Sequence, residues 1–402
     1  MDIEFTEDQT LLQASVERML QTHYGFAIRR AIVVSEDGWS RKHWQEFADL
    51  GLLAAPFSED SGGLGGGPIA TMTTMEAFGR HLVVEPYLET VVLAGGLIEA
   101  LGSASQRRDL LADIISGRTI FTPALFEHGS RHHFHAVSTT AERQGSHYVL
   151  RGAKAAVVAA PWADRLIVSA RTSGGARDRE GVSLFIVDRR AANLHLQSFK
   201  TLDGRRAAEI ALEGVHVPAE DLLGLEGAAI DALERLREHA IAAQCAEAIG
   251  AMAALNKATL EYTKTRKQFG APLGSFQVLQ HRMVDMFIAL EEATAITYAL
   301  NASLAHGAIV AKLASAAKVK VGEAGRYVGE QAVQLHGGMG MSDELNVGHY
   351  LKRLIAINIQ YGDPAFHVLR RAEDLLASLH SPGAAADADR TRRALTTPDA
   401  IP

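Results

Sequence analysis

The chain has 402 residues and 47% of them are apolar, which suits a packed interior shared by two or three domains and excludes general disorder. Its formal net charge is −7, so a nucleic-acid-binding surface is not expected. The single cysteine, Cys245, excludes an internal disulfide framework and reads as a small buried helix residue in a reducing, cytoplasmic setting. No apolar run reaches membrane-spanning length, and Met1-Asp2-Ile3-Glu4 has the wrong charge for a signal peptide.

The N-terminal third reads as helices. Thr6-Glu7-Asp8-Gln9 ahead of Leu11 and Leu12 has capping-box form. Trp44, Phe47, Ala48 and Leu52 recur at helical spacing. Ser61-Gly62-Gly63-Leu64-Gly65-Gly66-Gly67 then breaks the pattern. A dinucleotide loop should follow a β-branched strand. Here a helix pattern precedes through Ala54-Ala55-Pro56, so the segment reads as a chain-reversing turn between helices.

From about Phe121 the texture changes. The runs 137–141, 147–150, 166–170 and 182–187 are short and rich in β-formers, and turn residues separate them. This predicts an antiparallel β domain ending near Leu223-Gly224. From Ala228 to about Leu379 the helical period returns. The stretch 381–402, rich in Pro, Ala, Asp and Arg, reads as a mobile tail. The expected organisation is therefore mainly α with a central antiparallel β domain. The N-terminal helical domain is 1–119, the β domain 120–225, the C-terminal helical bundle 226–380 and the flexible tail 381–402.

Two motifs carry chemistry. Arg266 stands at a helix end, directly before the turn at Phe269-Gly270, and its planar guanidinium matches a pyrophosphate. Later, Gln334 can both donate and accept, and Gly337-Gly338 expose backbone amides to a phosphate or ribose. Alone, either segment is an ordinary helix stop or turn. Together, with Pro272, Phe276, Gln277, Gln280 and Gly340 in step, they resemble the acyl-CoA dehydrogenase family.

In that family the two motifs grip the ADP half of an FAD held by the neighbouring subunit. The resemblance implies the acyl-CoA dehydrogenase fold of helical, β-barrel-like and four-helix-bundle domains, an FAD cofactor and an oligomer. It also implies cofactor contacts from Arg266, Phe269, Gln277, Gln334, Gly337 and Gly338. The reaction implied is oxidation of an acyl-CoA thioester to the 2,3-enoyl-CoA, with electrons passing to an electron-transfer flavoprotein.

That reaction needs a base for the α proton. The family places a glutamate at one of two positions, and here these hold Ala240 and Tyr361. Alanine carries no base, and a tyrosine near its ordinary pKa of about 10 is a poor one at neutral pH. Beside the flavin ring, the family's Lys-x-Trp-Ile-Thr-Asn is matched by Lys154-Ala155-Ala156-Val157-Val158-Ala159. Ala156 replaces the Trp and Val158 the Thr. Its Thr-Glu-Pro…Gly-Ser-Asp segment survives only in fragments across 123–131. The half that would hold this chain's own flavin ring is eroded, and the half that reaches to a neighbour is kept.

The run Gln334 to Glu344, with Tyr361-Gly362-Asp363, is most similar to small subunits of pimeloyl-CoA-type heteromeric dehydrogenases. The expected function is thus a subunit that completes the flavin site of a catalytic partner, as in a heterotetramer. Three alternatives stay open: a homomeric dehydrogenase with a displaced base, a flavin-dependent oxidase or oxygenase, and a flavin-free acyl-CoA-binding scaffold. Among substitute bases, Glu238 and Asp363 read as solvated or paired. Glu247 is the weak candidate, because it interrupts the apolar run 242–254, where burial would raise its pKa. His128, His132, His133 and His135 cluster without a cysteine or regular carboxylate spacing, so no metal site is expected.

Overall fold

Thr6 opens the first helix, α1 (Glu7–His23), as a capping box. Its hydroxyl accepts from the Gln9 amide at 3.3 Å, and the Gln9 side chain accepts from the Thr6 amide at 3.0 Å. The computed structural model describes residues 5–379, so the expected tail at 381–402 and residues 1–4 lie outside it. Next come α2 (Phe26–Val34) and α3 (Arg41–Asp49), which buries His43, Trp44 and Phe47. The glycine-rich segment is a turn that feeds α4 (Gly67–His81). A Cβ on Gly63 would fall 2.2 Å from the Phe57 carbonyl oxygen, so only glycine fits there. A π-helical stretch (Leu88–Gly95), α5 (Gly96–Leu101) and α6 (Ala104–Ile115) complete this part.

Eight strands follow: β1 (Phe121–Ala124), β2 (Thr140–Gln144), β3 (His147–Val158), β4 (Arg165–Arg171), β5 (Val182–Asp188), β6 (Leu194–Lys200), β7 (Arg206–Pro218) and β8 (Leu222–Leu223). They form one sheet in the order β6-β7-β3-β2-β4-β5-β8, with β1 pairing β4. Pairing is mostly antiparallel, the exceptions being β1 and β2 against β4. The sheet is open, with β6 at one edge, so the barrel-like expectation is corrected: no closed barrel forms. The expected strand at 137–141 begins only at Thr140. The amides of Ser138 and Thr139 donate instead to the Glu127 carboxylate, at 2.7 and 3.1 Å.

The remainder is helical: α7 (Ile230–Thr265), α8 (Gln277–Ala305), α9 (Ala311–His336), α10 (Val347–Ile359) and α11 (Pro364–Leu379). Two short strands, β9 (Lys267–Gln268) and β10 (Ala271–Pro272), make a hairpin whose turn residues Phe269 and Gly270 both have positive φ, 54° and 79°. α4 crosses α7 at backbone contact. A Cβ on Gly79 would meet the Glu247 carbonyl, and one on Gly250 the Glu76 carbonyl, each at 1.9 Å. Cys245 is free and buried in α7. No helix among the described residues is long and apolar enough to cross a membrane.

A buried charge network ties the three regions together. Arg353 of α10 grips both Glu247 oxygens at 2.6 Å and donates to Asp203 at 2.7 Å. Asp203 sits in the turn between β6 and β7, and its carbonyl accepts from Arg29 of α2 at 3.0 Å. Arg353, Glu247, Asp203 and Arg29 are all buried. Burial raises the Asp203 pKa, but Arg353 and then Arg205 outweigh it and hold the carboxyl down at about 2.

Candidate functional site

Two halves of a site form on different parts of the chain. The first lies between the sheet and the helical bundle. It gathers 126–134, the end of β3, α7 around Ala240 and the loop at Tyr361. Ala240 is fully buried. One helical turn further on, Gln244 donates to the Gln360 side chain at 2.5 Å, so α7 presents this face to the Tyr361 loop. The structure thus sets the loop at Tyr361 about one helical turn from Ala240, the two positions where the family resemblance expects a base.

Aromatic side chains meet beside that loop. Phe126 stacks on Phe134 with ring centres 5.2 Å apart and meets Tyr361 at 6.2 Å. Buried Arg237 lies over Phe134 at 4.5 Å and Phe366 at 5.3 Å, and donates to the His132 carbonyl at 2.6 Å. Burial pulls its guanidinium down to about 10, with Glu234 at 2.7 Å opposing. Half-buried Tyr361 packs against both apolar cores. Desolvation, reinforced by nearby Glu89, drives its hydroxyl above the ordinary range, so it is no base at neutral pH.

Backbone geometry here is unusual as well. Tyr361 has φ 57° and Ala156 φ 51°, a region that side-chain-bearing residues rarely enter. Ala156 sits at a bulge between β3 and β7, and its amide donates to Glu209 at 3.2 Å. Lys154 is fully buried and pairs with Glu127 at 2.7 Å and Ser169 at 3.0 Å. Burial lowers its pKa to about 8, and Glu127 limits the fall.

The Tyr361 loop is pinned from α11. His367 Nε2 donates to the Tyr361 carbonyl at 3.2 Å, and its Nδ1 accepts from Ser315 at 3.1 Å. Burial, and then nearby Lys318, depress the imidazole to about 3. A depressed pKa means this contribution is fully present above the unfolded value of about 6.5 and is lost as pH falls toward 3. His367→Gln, which cannot titrate, should therefore flatten the stability profile. Urea denaturation between pH 6 and 4 should show a slope smaller than wild type by about 1.4 kcal/mol per pH unit. Identical slopes would show that His367 is not held neutral.

The second half lies at the far end of α7. A groove of about 660 Å³ runs between the β9–β10 hairpin, the start of α8 and the end of α9. It collects Arg266, Gln334, Gly337 and Gly338 together with His336, which lies inside the second motif, and adds Tyr262 and Arg282, which carry no signal in the sequence. Gly337 has φ 62° with ψ −142°, and a Cβ on Gly337 or Gly338 would meet nothing within 4 Å. The backbone thus stands open to the groove. Among the described residues, the Arg266 guanidinium has no hydrogen bond or ion pair. Tyr262 stacks on His336 at 4.3 Å and forms part of the groove wall. Phe269 and Gln277 lie outside the groove lining: Phe269 is 91% exposed at the hairpin tip, and Gln277 is exposed at the start of α8.

Known proteins match this arrangement along nearly its whole length. Sequence models of the acyl-CoA dehydrogenase N-terminal, middle and C-terminal domains match residues 6–118, 123–215 and 230–376. The chain belongs to the acyl-CoA dehydrogenase family. It is 28% identical over 382 residues to the probable acyl-CoA dehydrogenase YngJ of Bacillus subtilis, which covers 94% of this chain and 100% of that one. The solved structure of a Tcur3481-Tcur3483 steroid ACAD variant superposes with a TM-score of 0.84 at 30% identity, over 93% of this chain and 99% of that one. The ChsE4-ChsE5 complex of Mycobacterium tuberculosis gives 0.85 at 25% identity, over 95% and 100%.

Acyl-CoA dehydrogenases are FAD-dependent oxidoreductases acting on acyl-CoA thioesters. The two halves fit that cofactor unequally. The open groove with an unpaired Arg266 suits the ADP half. On the side where the family resemblance puts the ring, Ala156 and Val158 offer no aromatic or hydroxyl group, and Phe126 packs on Phe134 and Tyr361.

Proposed function

We propose that this chain is the partner subunit of a heteromeric acyl-CoA dehydrogenase: it lacks the catalytic glutamate and completes the flavin site of a second, glutamate-bearing subunit. The observation that carries this reading is the asymmetry of the two halves. The groove around Arg266 is open and cationic, whereas at the base positions the resemblance points to stand Ala240, which carries no base, and Tyr361, which packs against Phe126.

A bound FAD supplies the hydride acceptor for oxidation of the acyl chain. This chain's own residues bind and orient. Arg266 and Arg282 bring positive charge to the groove, Gly337 and Gly338 open their backbone to phosphate or ribose, and Gln334 lines the wall. Phe269 and Gln277 would reach the cofactor from the surface. An apolar strip on α8 fits coverage by a partner, with Val284, Phe287 and Ile288 between 48 and 55% exposed. The acceptor for the electrons is an electron-transfer flavoprotein, and the assembly works in the cytoplasm.

Glu247 does not serve as a displaced base in this reading. Both of its oxygens are held by Arg353, so neither is free to take a substrate proton.

The test is Arg266→Ala in the chain co-purified with a glutamate-bearing family member. Loss of one or two charge-assisted hydrogen bonds, on the order of 1.5–3 kcal/mol each, should weaken FAD binding at least about tenfold. Unchanged flavin affinity of the assembled enzyme would remove Arg266 from the cofactor site.

A further inference from the structure

A second cleft lies toward the opposite ends of α7 and α8 from the groove at Arg266. It has a volume of about 850 Å³, within the range of small-molecule sites, and opens between the glycine turn, α4, α5, the first turns of α7 and the end of α8. We infer that this cleft is a binding site for a neutral small molecule with a bulky apolar body and a hydrogen-bond-donating group, such as an alcohol. The inference does not depend on the partner-subunit reading.

The walls set the apolar part. Phe57, Val92, Leu97, Leu236 and Leu304 line the cleft. Its wall at the glycine turn is fixed, because Glu99 of α5 accepts from the Ser58 amide at 2.9 Å and from the Ser58 hydroxyl at 2.8 Å. Gly96 also lines the space, has ordinary helical φ, and a Cβ there would meet nothing within 4 Å. A larger residue at 96 would occupy the cleft without displacing its walls.

The polar groups set the donor requirement. Asn301 lines the cleft and is 1% exposed. Its amide nitrogen donates to the Thr297 carbonyl at 2.9 Å, but its Oδ1 has no hydrogen-bond partner. A buried acceptor left unpaired is costly, and a ligand hydroxyl reached by a small side-chain shift would satisfy it. The rim carries three carboxylates, Glu59, Glu99 and Asp231, against a single guanidinium, Arg235. His239, the other titratable group of the lining, is exposed into the cleft, and desolvation there lowers its pKa. An acceptor-rich rim disfavours anionic ligands.

The cleft is separate from the aromatic cluster at Tyr361. Arg235 and Arg237 are two residues apart on α7, so they project about 200° from each other. Arg237 packs on Phe134 and Phe366, whereas Arg235 lines the cleft.

The experiment uses the purified full chain and two matched probes, 2-(2-naphthyl)ethanol and its carboxylate counterpart 2-naphthylacetate, titrated calorimetrically. The alcohol should bind saturably and raise the melting temperature, and the carboxylate should bind at least about tenfold more weakly. Asn301→Leu should weaken alcohol binding by about tenfold. Gly96→Phe should abolish it while the circular dichroism spectrum is retained, which keeps the test decisive if the Asn301 variant fails to fold. Equal binding of both probes, binding that survives Gly96→Phe, or no saturable binding of the alcohol would each overturn the assignment.

Discussion

Purified alone and supplied with FAD, the chain is expected to turn over acyl-CoA substrates at least about 100-fold more slowly than a glutamate-bearing relative. General-base catalysis is typically worth about 10²–10⁴-fold, and in the proposed reading neither Ala240 nor Tyr361 supplies the base. Ala240 is buried and carries no titratable group, and the surroundings of Tyr361 push its hydroxyl further from a working base. The nearest conspicuous carboxylate on α7, Glu247, is locked by Arg353. Adding FAD in excess should not rescue activity, because on this proposal the base comes from the partner whether or not flavin binds. The assay is turnover of a panel of acyl-CoAs with an artificial electron acceptor, with and without a glutamate-bearing partner. Robust turnover by the single chain would overturn the partner-subunit reading, and Glu247→Gln would then be the variant to make.

Replacing Arg353 should be the most damaging single change to stability. The side chain is 3% exposed and pairs with two carboxylates that are buried as deeply. Removing one member of a buried charge set leaves the others uncompensated, at a cost of about 3–5 kcal/mol. Arg353→Leu should therefore lower the urea midpoint sharply. Arg353→Leu combined with Glu247→Leu and Asp203→Asn should recover a large part of the loss, since fewer orphan charges remain buried. Both measurements follow from one reading, that the network links α2, the β6–β7 turn, α7 and α10. A melting curve for Arg353→Leu that overlays wild type would show that the network carries no such load.

Much of the architecture was legible because its signals are local. The capping box at Thr6 and Gln9 is written in four consecutive residues, and it forms. Strands β4 and β5 were legible as apolar runs because both are buried along nearly their full length. β6 and β7 were missed. β6 is an edge strand with a largely exposed pattern, and β7 contains Glu209, Glu213, Gly214 and His216, so neither shows a continuous apolar run. The sheet also stays open, a property of register and closure that no single run encodes.

At the site, the Arg266 and Gly337-Gly338 motifs were legible because each combines a chain turn with a chemical group. The aromatic cluster beside Tyr361 was not. Phe126, Phe134, Arg237 and Phe366 come from three separate segments, and a lone Phe or a helical Arg carries no signal of what it packs against. The one available hint was the erosion of the segment 123–131. The role of Glu247 turned on a contact 106 residues away, which spacing along α7 could not reveal.

The most direct test is a count of flavin. The purified single chain, equilibrated with excess FAD and desalted, should retain essentially none. Its complex with a glutamate-bearing partner should hold one FAD for each pair of unlike chains, measured by flavin absorbance against quantitative amino-acid analysis. One tightly held FAD per copy of the single chain, bleached anaerobically by an acyl-CoA, would contradict it.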